Sequence, residues 1–223
     1  MTELAEAFGR ELDEVLGDRV VSAFTYGAAM FPPAPVTDFD AHVLVEGEVD
    51  VDALHAMHER LHSVPMGDDM DVWYISAEDA KTSPAPRDLR HESLFDESWP
   101  LHRAHIHAGR YKVIRGADPI RFLPPPTWDE LDEALQHELE WLAARLDESP
   151  DYCVLNLCRI ACSYANSNVV FSKLDGARWA FAALDAEHHA TIRDALEAYR
   201  TRTFPRADAR GFYEVMRPVI EKL

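Results

Sequence analysis

Tyr26-Gly27-Ala28-Ala29 is followed by a proline-rich loop and then by Asp38-Phe39-Asp40-Ala41-His42-Val43-Leu44-Val45. Val20–Tyr26 and Ala41–Val45 are apolar runs of strand length, so one strand ends at Tyr26-Gly27 and another follows the acidic pair. Side chains two apart on a strand share a face, which projects Asp38 and Asp40 together. Two adjacent carboxylates repel unless a cation sits between them. Mg²⁺ suits such a pair, because it prefers hard oxygen ligands and often takes one or two carboxylates with substrate phosphates. Alone, a D-x-D in an acidic chain is weak, and two solvated aspartates at a strand entrance read as well.

The flanking pattern narrows this. Val51, Leu54, Met57, His58 and Leu61 share one helical face over Val51–Leu61. A second acidic strand then begins at Asp69-Met70-Asp71-Val72-Trp73, with Asp71 on the face of Trp73 and Ile75. An acid that opens an apolar strand needs a reason, and a shared metal site is one; Asp69 competes with Asp71 for that role. Leu4, Phe8, Leu12, Val15 and Leu16 mark an N-terminal helix stopped by Gly17, and Tyr111–Ile114 is a further short strand.

Character changes at Leu123-Pro124-Pro125-Pro126, after which nearly everything reads as helix. Asp129–Leu146 is amphipathic on Leu131, Leu135, Leu139 and Leu142, and Thr127 with Glu130 forms a capping box. Tyr152–Tyr164 is apolar almost all round, as expected of a central helix. The expected architecture is α+β: a small mixed α/β domain over residues 1–123, then an all-α helical bundle over 124–223. A cleft between two such halves is the usual place for a ligand.

Composition excludes several classes. The 223 residues carry 40 Asp+Glu against 22 Lys+Arg, a formal charge of −18, which repels phosphates on average and makes a nucleic-acid partner unexpected. An apolar content of 47% with five Trp argues for a buried core rather than disorder. No apolar run reaches the ~18–20 residues of a membrane span, and the N-terminus is acidic and amphipathic rather than a signal peptide. Cys153, Cys158 and Cys162 fall on one predicted helix, which is no disulfide framework. A cytoplasmic monomer is the default expectation.

Strand, glycine loop, D-x-D strand, helix and acidic strand in this order resemble the nucleotidyltransferase (polymerase β-like) superfamily. Val154-Leu155-Asn156-Leu157-Cys158-Arg159-Ile160, then Ser172-Lys173-Leu174-Asp175-Gly176-Ala177-Arg178-Trp179-Ala180, resemble the C-terminal helical domain of the aminoglycoside adenylyltransferases that modify streptomycin and spectinomycin. The resemblance implies AMP transfer from ATP to a hydroxyl of an aminoglycoside-type antibiotic, with release of pyrophosphate. It implies Mg²⁺ on Asp38 and Asp40, and Asp71 as proton acceptor that also touches metal. It places Gly27 and Ala28 at the loop that holds the terminal phosphates, and Arg159 and Lys173 at cationic positions reaching the nucleotide. It also implies a cationic acceptor met by carboxylates and aromatic faces in the region of Trp141, Asp147 and Asp151, and a possible acceptor-side role for Trp99.

Three departures stand out. Ala28 replaces the usual serine, Phe31-Pro32-Pro33-Ala34-Pro35 replaces a glycine-rich loop, and Asp71 stands where a glutamate is usual. Each proline removes a backbone donor. Transfer to a different small-molecule or protein acceptor therefore stays open, as does a non-catalytic nucleotide- or ligand-binding role. The remaining candidates read as structure. His102, His105 and His107 lack a fourth ligand at metal spacing, and with Arg103, Arg110, Lys112 and Arg115 they read as a solvated or ion-paired face. His55, His58 and His62 read as boundary residues, and Cys158 with Cys162 as core.

Overall fold

The computed structural model describes residues 2–91, 93–203 and 207–223. The chain divides into two compact units: residues 1–30 with 36–130, and residues 31–35 with 131–223.

The first unit is built on four strands, β1 (Val20–Thr25), β2 (Phe39–Val45), β3 (Met70–Ser76) and β4 (Lys112–Gly116), in the order β3-β2-β1-β4. β1 pairs antiparallel with β2 and β4, whereas β2 and β3 run parallel. A parallel pair needs a crossover, and α2 (Val51–Leu61) supplies it between β2 and β3, started by Asp50, whose carboxylate accepts from Ala53 N at 3.1 Å.

Alternation sorts the sheet's two faces. Phe39, Ala41, Val43, Val45, Val72 and Tyr74 face one way and pack against α1 (Thr2–Val15) through Leu4, Phe8 and Leu12, and against α2 through Leu54, Met57 and Leu61. The opposite face carries Phe24, Tyr26, Leu44 and Ile75, packed against Trp99 and Ile106 of the helix Trp99–His107. A short helix, α3 (Asp79–Thr82), precedes that one, which is therefore α4. β2 begins at Phe39, two residues before the apolar run suggests, because Phe39 and Asp40 already pair with Met70 and Asp71. The acidic pair thus straddles the strand's first residue.

The second unit is helical: α5 (Trp128–Ala143, which begins in the first unit), α6 (Pro150–Asn166), α7 (Lys173–Ala183), α8 (His189–Thr201) and α9 (Ala209–Ile220). The Thr127–Glu130 capping box is formed, with Glu130 N donating to Thr127 Oγ1 at 3.3 Å and Thr127 N donating to Glu130 Oε2 at 2.7 Å. α5 stops at Ala143 rather than Leu146, because Arg145 N donates to Leu142 O at 2.9 Å and tightens the last turn. α6 buries ten residues on several sides and contacts α7, α8 and α9, as expected of a central helix. Its three thiols are free and buried; burial pushes Cys153 up to about 11 and Cys158 up to about 12. They are packing groups and not nucleophiles at neutral pH. Gly176 lets α7 close on α6, since a Cβ there would lie 2.6 Å from the Arg159 backbone. Among the described residues no helix is long and apolar enough to cross a membrane.

Candidate active site

Parallel pairing puts Asp40 opposite Asp71 on neighbouring strands, on the sheet face that α4 covers. Asp38 lies just before β2, where Thr37 Oγ1 donates to its Oδ1 at 3.2 Å. Asp69, the competing acid, ends a 3-10 turn and stays outside the strand. The first unit therefore gathers Asp38, Asp40 and Asp71 at one end of the β2–β3 pair.

Asp40 is held from two sides. Its carbonyl accepts from Thr25 Oγ1 at 2.7 Å and from Tyr26 N at 3.2 Å. Its carboxylate lies against Gly27, where a Cβ would fall 1.7 Å from Oδ2, and Gly27 has φ +73°. Glycine is needed there both for the left-handed backbone and for the close approach. Ala28 follows in the 3-10 turn Gly27–Met30, so any contact this turn makes to an anion is through backbone N–H groups.

The electrostatics of the cluster are those of crowded acids. Burial, followed by Asp40, Asp71, Asp96 and Asp38, pushes the Tyr26 phenol well above its ordinary value. Surrounding protein likewise raises the Asp71 carboxyl, with His102 the largest opposing influence and Asp96 and Asp38 adding to the rise. Carboxylates placed side by side at the end of a strand pair fit a divalent cation, which prefers such hard oxygen ligands.

Beneath this cluster lies a polar group that the linear pattern left unconnected. His42 follows Asp40 by two and shares its face. Its Nε2 donates to Asp96 Oδ2 at 2.8 Å, and His102 Nδ1 donates to the same oxygen at 3.1 Å. Burial holds His42 down at about 4, against the pull of Asp96. Burial alone would raise Asp96, but His102 and His42 outweigh it and hold the carboxyl well below the usual range. His102 was grouped in the sequence with His105 and His107; its partners in the fold are His42 and Asp96, while His107 Nε2 donates to Leu123 O at 3.0 Å. In the neighbouring basic stretch Arg103 pairs with Glu130 and Arg115 with Asp13, while Arg110 donates to Met30 O at 3.1 Å. Trp99, a possible acceptor contact by resemblance, is fully buried with Nε1 donating to Ala80 O at 3.0 Å. It is a core residue, because α4 turns it onto the sheet.

In the second unit, Arg159 stands on α6 with Nη2 3.8 Å from Glu138 Oε2. Lys173 opens α7 directly after the N-cap Ser172, inside the Ser172–Asp175 capping box. Its Nζ lies 4.1 Å from the Tyr152 ring centroid and 5.3 Å from that of Tyr199, and Tyr199 Oη donates to Pro35 O at 3.0 Å. Trp141 packs on Tyr152 at 5.6 Å and carries the Arg145 guanidinium over its face at 4.0 Å. Asp147 is exposed and paired with Arg210, whose Nε donates to Oδ1 at 3.1 Å. Asp151 lies in the first turn of α6. Tyr152 and Tyr199 joined no motif in the sequence, since aromatics on amphipathic helices usually denote packing.

Residues 123–217 match the family described as aminoglycoside adenylyltransferase, C-terminal domain. Among solved structures the chain resembles spectinomycin adenyltransferase AAD(9) from Enterococcus faecialis, solved with ATP and spectinomycin. That match has a TM-score of 0.83 at 13% identity and covers 99% of each chain. No curated protein matches the sequence. The structural likeness establishes the fold, α+β with a small sheet followed by helices.

Proposed function

We propose that the chain, whose residues 123–217 match the aminoglycoside adenylyltransferase C-terminal domain, transfers AMP from ATP to a hydroxyl of an aminoglycoside-type acceptor and releases pyrophosphate. The observation that carries this reading is the pairing of Asp40 with Asp71 beside Asp38, on a strand whose preceding glycine lies against Asp40.

Asp38 and Asp40, with Asp71 beside them, would hold Mg²⁺, which when bound neutralises charge on the triphosphate. The register that sets Asp40 opposite Asp71, with Asp38 just before β2, supports that fit. Asp71 accepts the acceptor hydroxyl's proton as its oxygen attacks the α-phosphorus in line and pyrophosphate leaves. Its raised carboxyl is a better proton acceptor than an unperturbed aspartate. The turn at Gly27 and Ala28 offers backbone donors to phosphate, and Arg159 and Lys173 supply positive charge to a chain whose own field repels ATP. Trp141, Asp147 and Asp151 serve a cationic acceptor by stacking and ion pairing.

Incubation with ATP, Mg²⁺ and a panel that includes streptomycin and spectinomycin should release pyrophosphate only when an acceptor is present. Silence across a broad panel would overturn the antibiotic assignment. A second reading, transfer to a different acceptor, draws on one observation: Trp141 and Asp147 are engaged by the chain's own Arg145 and Arg210. The exposed Arg210–Asp147 ion pair contributes little and is easily displaced, so the aminoglycoside reading is preferred. Labelling of a protein band by radioactive ATP would favour the second.

A further inference from the structure

Lys173 and Trp141, given above to the nucleotide and to the acceptor, meet on opposite sides of one aromatic ring. The Lys173 ammonium lies 4.1 Å from the centroid of Tyr152, and the Trp141 ring packs against that same side chain at 5.6 Å. We propose, resting on the adenylyl-transfer reading, that Tyr152 is a positioning residue for Lys173. Its ring, fixed by Trp141, holds the ammonium ready for the triphosphate.

The place of Lys173 in the helix makes this attraction necessary. Lys173 is the first residue of α7, where the macrodipole and the end N–H groups carry positive charge and disfavour an ammonium. Asp175, two residues on, is turned back onto the cap, where its Oδ2 accepts from Ser172 N at 3.0 Å and from Ser172 Oγ at 2.6 Å. An aromatic face supplies the opposite sign of charge, and a cation within about 6 Å of the centroid is drawn to it. Tyr199 presents a second ring at 5.3 Å.

Both rings are themselves held. Tyr152 stands in the first turn of α6, and its ring is tilted 60° to that of Trp141 on α5, one of the offset geometries that aromatic pairs prefer. Tyr199, on α8, is 9% exposed, and its hydroxyl donates to Pro35 O at 3.0 Å. The lysine stem is thus the flexible member of a group drawn from four helices of one unit. Ordering such a stem on a phosphate costs rotamer entropy, and a ring that has already narrowed its range lowers that cost. An ammonium has three donors and no fixed fork, so it can meet a ring face and phosphate oxygens together.

Packing alone would also place a tyrosine here, and chemistry separates the two roles. Packing follows the shape of the ring, whereas the hold on an ammonium follows the negative charge of its face, which fluorine withdraws with little change of shape.

The test uses the full chain with Mg²⁺ and α,β-methylene-ATP, which cannot transfer AMP, and measures Kd by calorimetry alongside Tm. Tyr152→Leu should raise Kd by roughly fivefold to tenfold, and Tyr152→Phe should recover most of that loss. Phenylalanine and its mono-, di- and trifluorinated forms in place of Tyr152 should raise Kd stepwise while Tm stays level. This series also decides the matter should Tyr152→Leu fail to fold. A Kd that is flat across the series, or that rises only as Tm falls, would overturn the proposal. So would tighter binding in Tyr152→Leu, which would mean that the ring restrains Lys173 from phosphate. If Lys173→Gln binds the analogue as wild type does, or wild type does not bind it, the nucleotide reading of Lys173 fails. The ε-methylene protons of Lys173, shifted upfield by the Tyr152 ring current, then decide the positioning inference alone. Resonances that stay in place in Tyr152→Leu, or in Tyr152→Phe against its trifluorinated form, overturn it.

Discussion

Asp40 and Asp71 are register partners across the parallel β2–β3 pair, which sets two carboxylates side by side on one face of the sheet. Directly opposed like charges are destabilising, so this pairing is retained at a cost that a bound cation would remove. Asp40→Asn should therefore lower kcat by on the order of 10²–10³-fold and leave Tm unchanged or slightly higher. Pyrophosphate release and a melting curve check both, and an active Asp40→Asn enzyme would end the metal-site reading.

Gly27 is the backbone counterpart of that pair. Gly27→Ala places a Cβ in a left-handed conformation that costs an L-residue about 1–2 kcal/mol, and it drives the methyl into the Asp40 carboxylate. The expected outcome is a modest loss of stability in urea unfolding with a disproportionate loss of kcat. Equal, small effects on both would show that Asp40 can move away without consequence.

Gly176 tests the helical unit by itself. A Cβ there meets the Arg159 backbone at 2.6 Å, which α7 cannot relieve by moving a flexible side chain. Gly176→Ala should destabilise by about 1–3 kcal/mol through overpacking, and KM for ATP should rise because Arg159 is displaced. An unchanged Tm would mean that the α6–α7 approach is looser than these distances imply.

Stability should fall as the solution is acidified from pH 6.5 towards 4. Burial lowers both His42 and His58 to about 4, so below their ordinary value of 6.5 the unfolded chain binds protons that the folded chain refuses. The folded state is then penalised progressively as pH drops through that window, and gains nothing further from these groups above it. Denaturant titrations at several pH values measure the slope. His58→Gln should flatten part of it, because His58 is half-buried against Tyr74, whose hydroxyl donates to Nε2 at 2.9 Å.

Arg210 and Asp147 form an exposed pair, in which Arg210 holds Asp147 below the usual carboxylate range. Arg210→Ala should leave Tm within error, because such pairs contribute little, and should lower KM for a cationic acceptor by exposing Asp147. A raised or unchanged acceptor KM would detach Asp147 from acceptor binding.

Much of the fold was legible in the chain. Apolar, β-rich runs of strand length found β1, β2 and β3 to within a residue or two, and helical spacing with caps found α2 and the start of α5. The all-round apolar run found the central helix α6. These succeed because strand and helix periods are local consequences of which face is buried. Asp38, Asp40 and Asp71 were legible for the same reason, as acids at the mouths of apolar strands. Trp99 was not: its burial depends on α4 turning its indole onto the sheet. The end of α5 was not legible either, since one backbone bond closed it early.

The sequence by itself determined the elements, their faces, the acidic positions at the strand ends and the resemblance carried by α6 and α7. Only the tertiary structure decided the parallel register that opposes Asp40 to Asp71, the convergence of His42, Asp96 and His102, and the seating of Lys173 against Tyr152 and Tyr199. His42 and Asp96 are 54 residues apart and meet because Phe24, Leu44, Ile75 and Trp99 bury one face of the sheet. Local periodicity says which side of an element is apolar; which buried faces meet, and what polar groups they carry inward, is fixed only when the whole core packs.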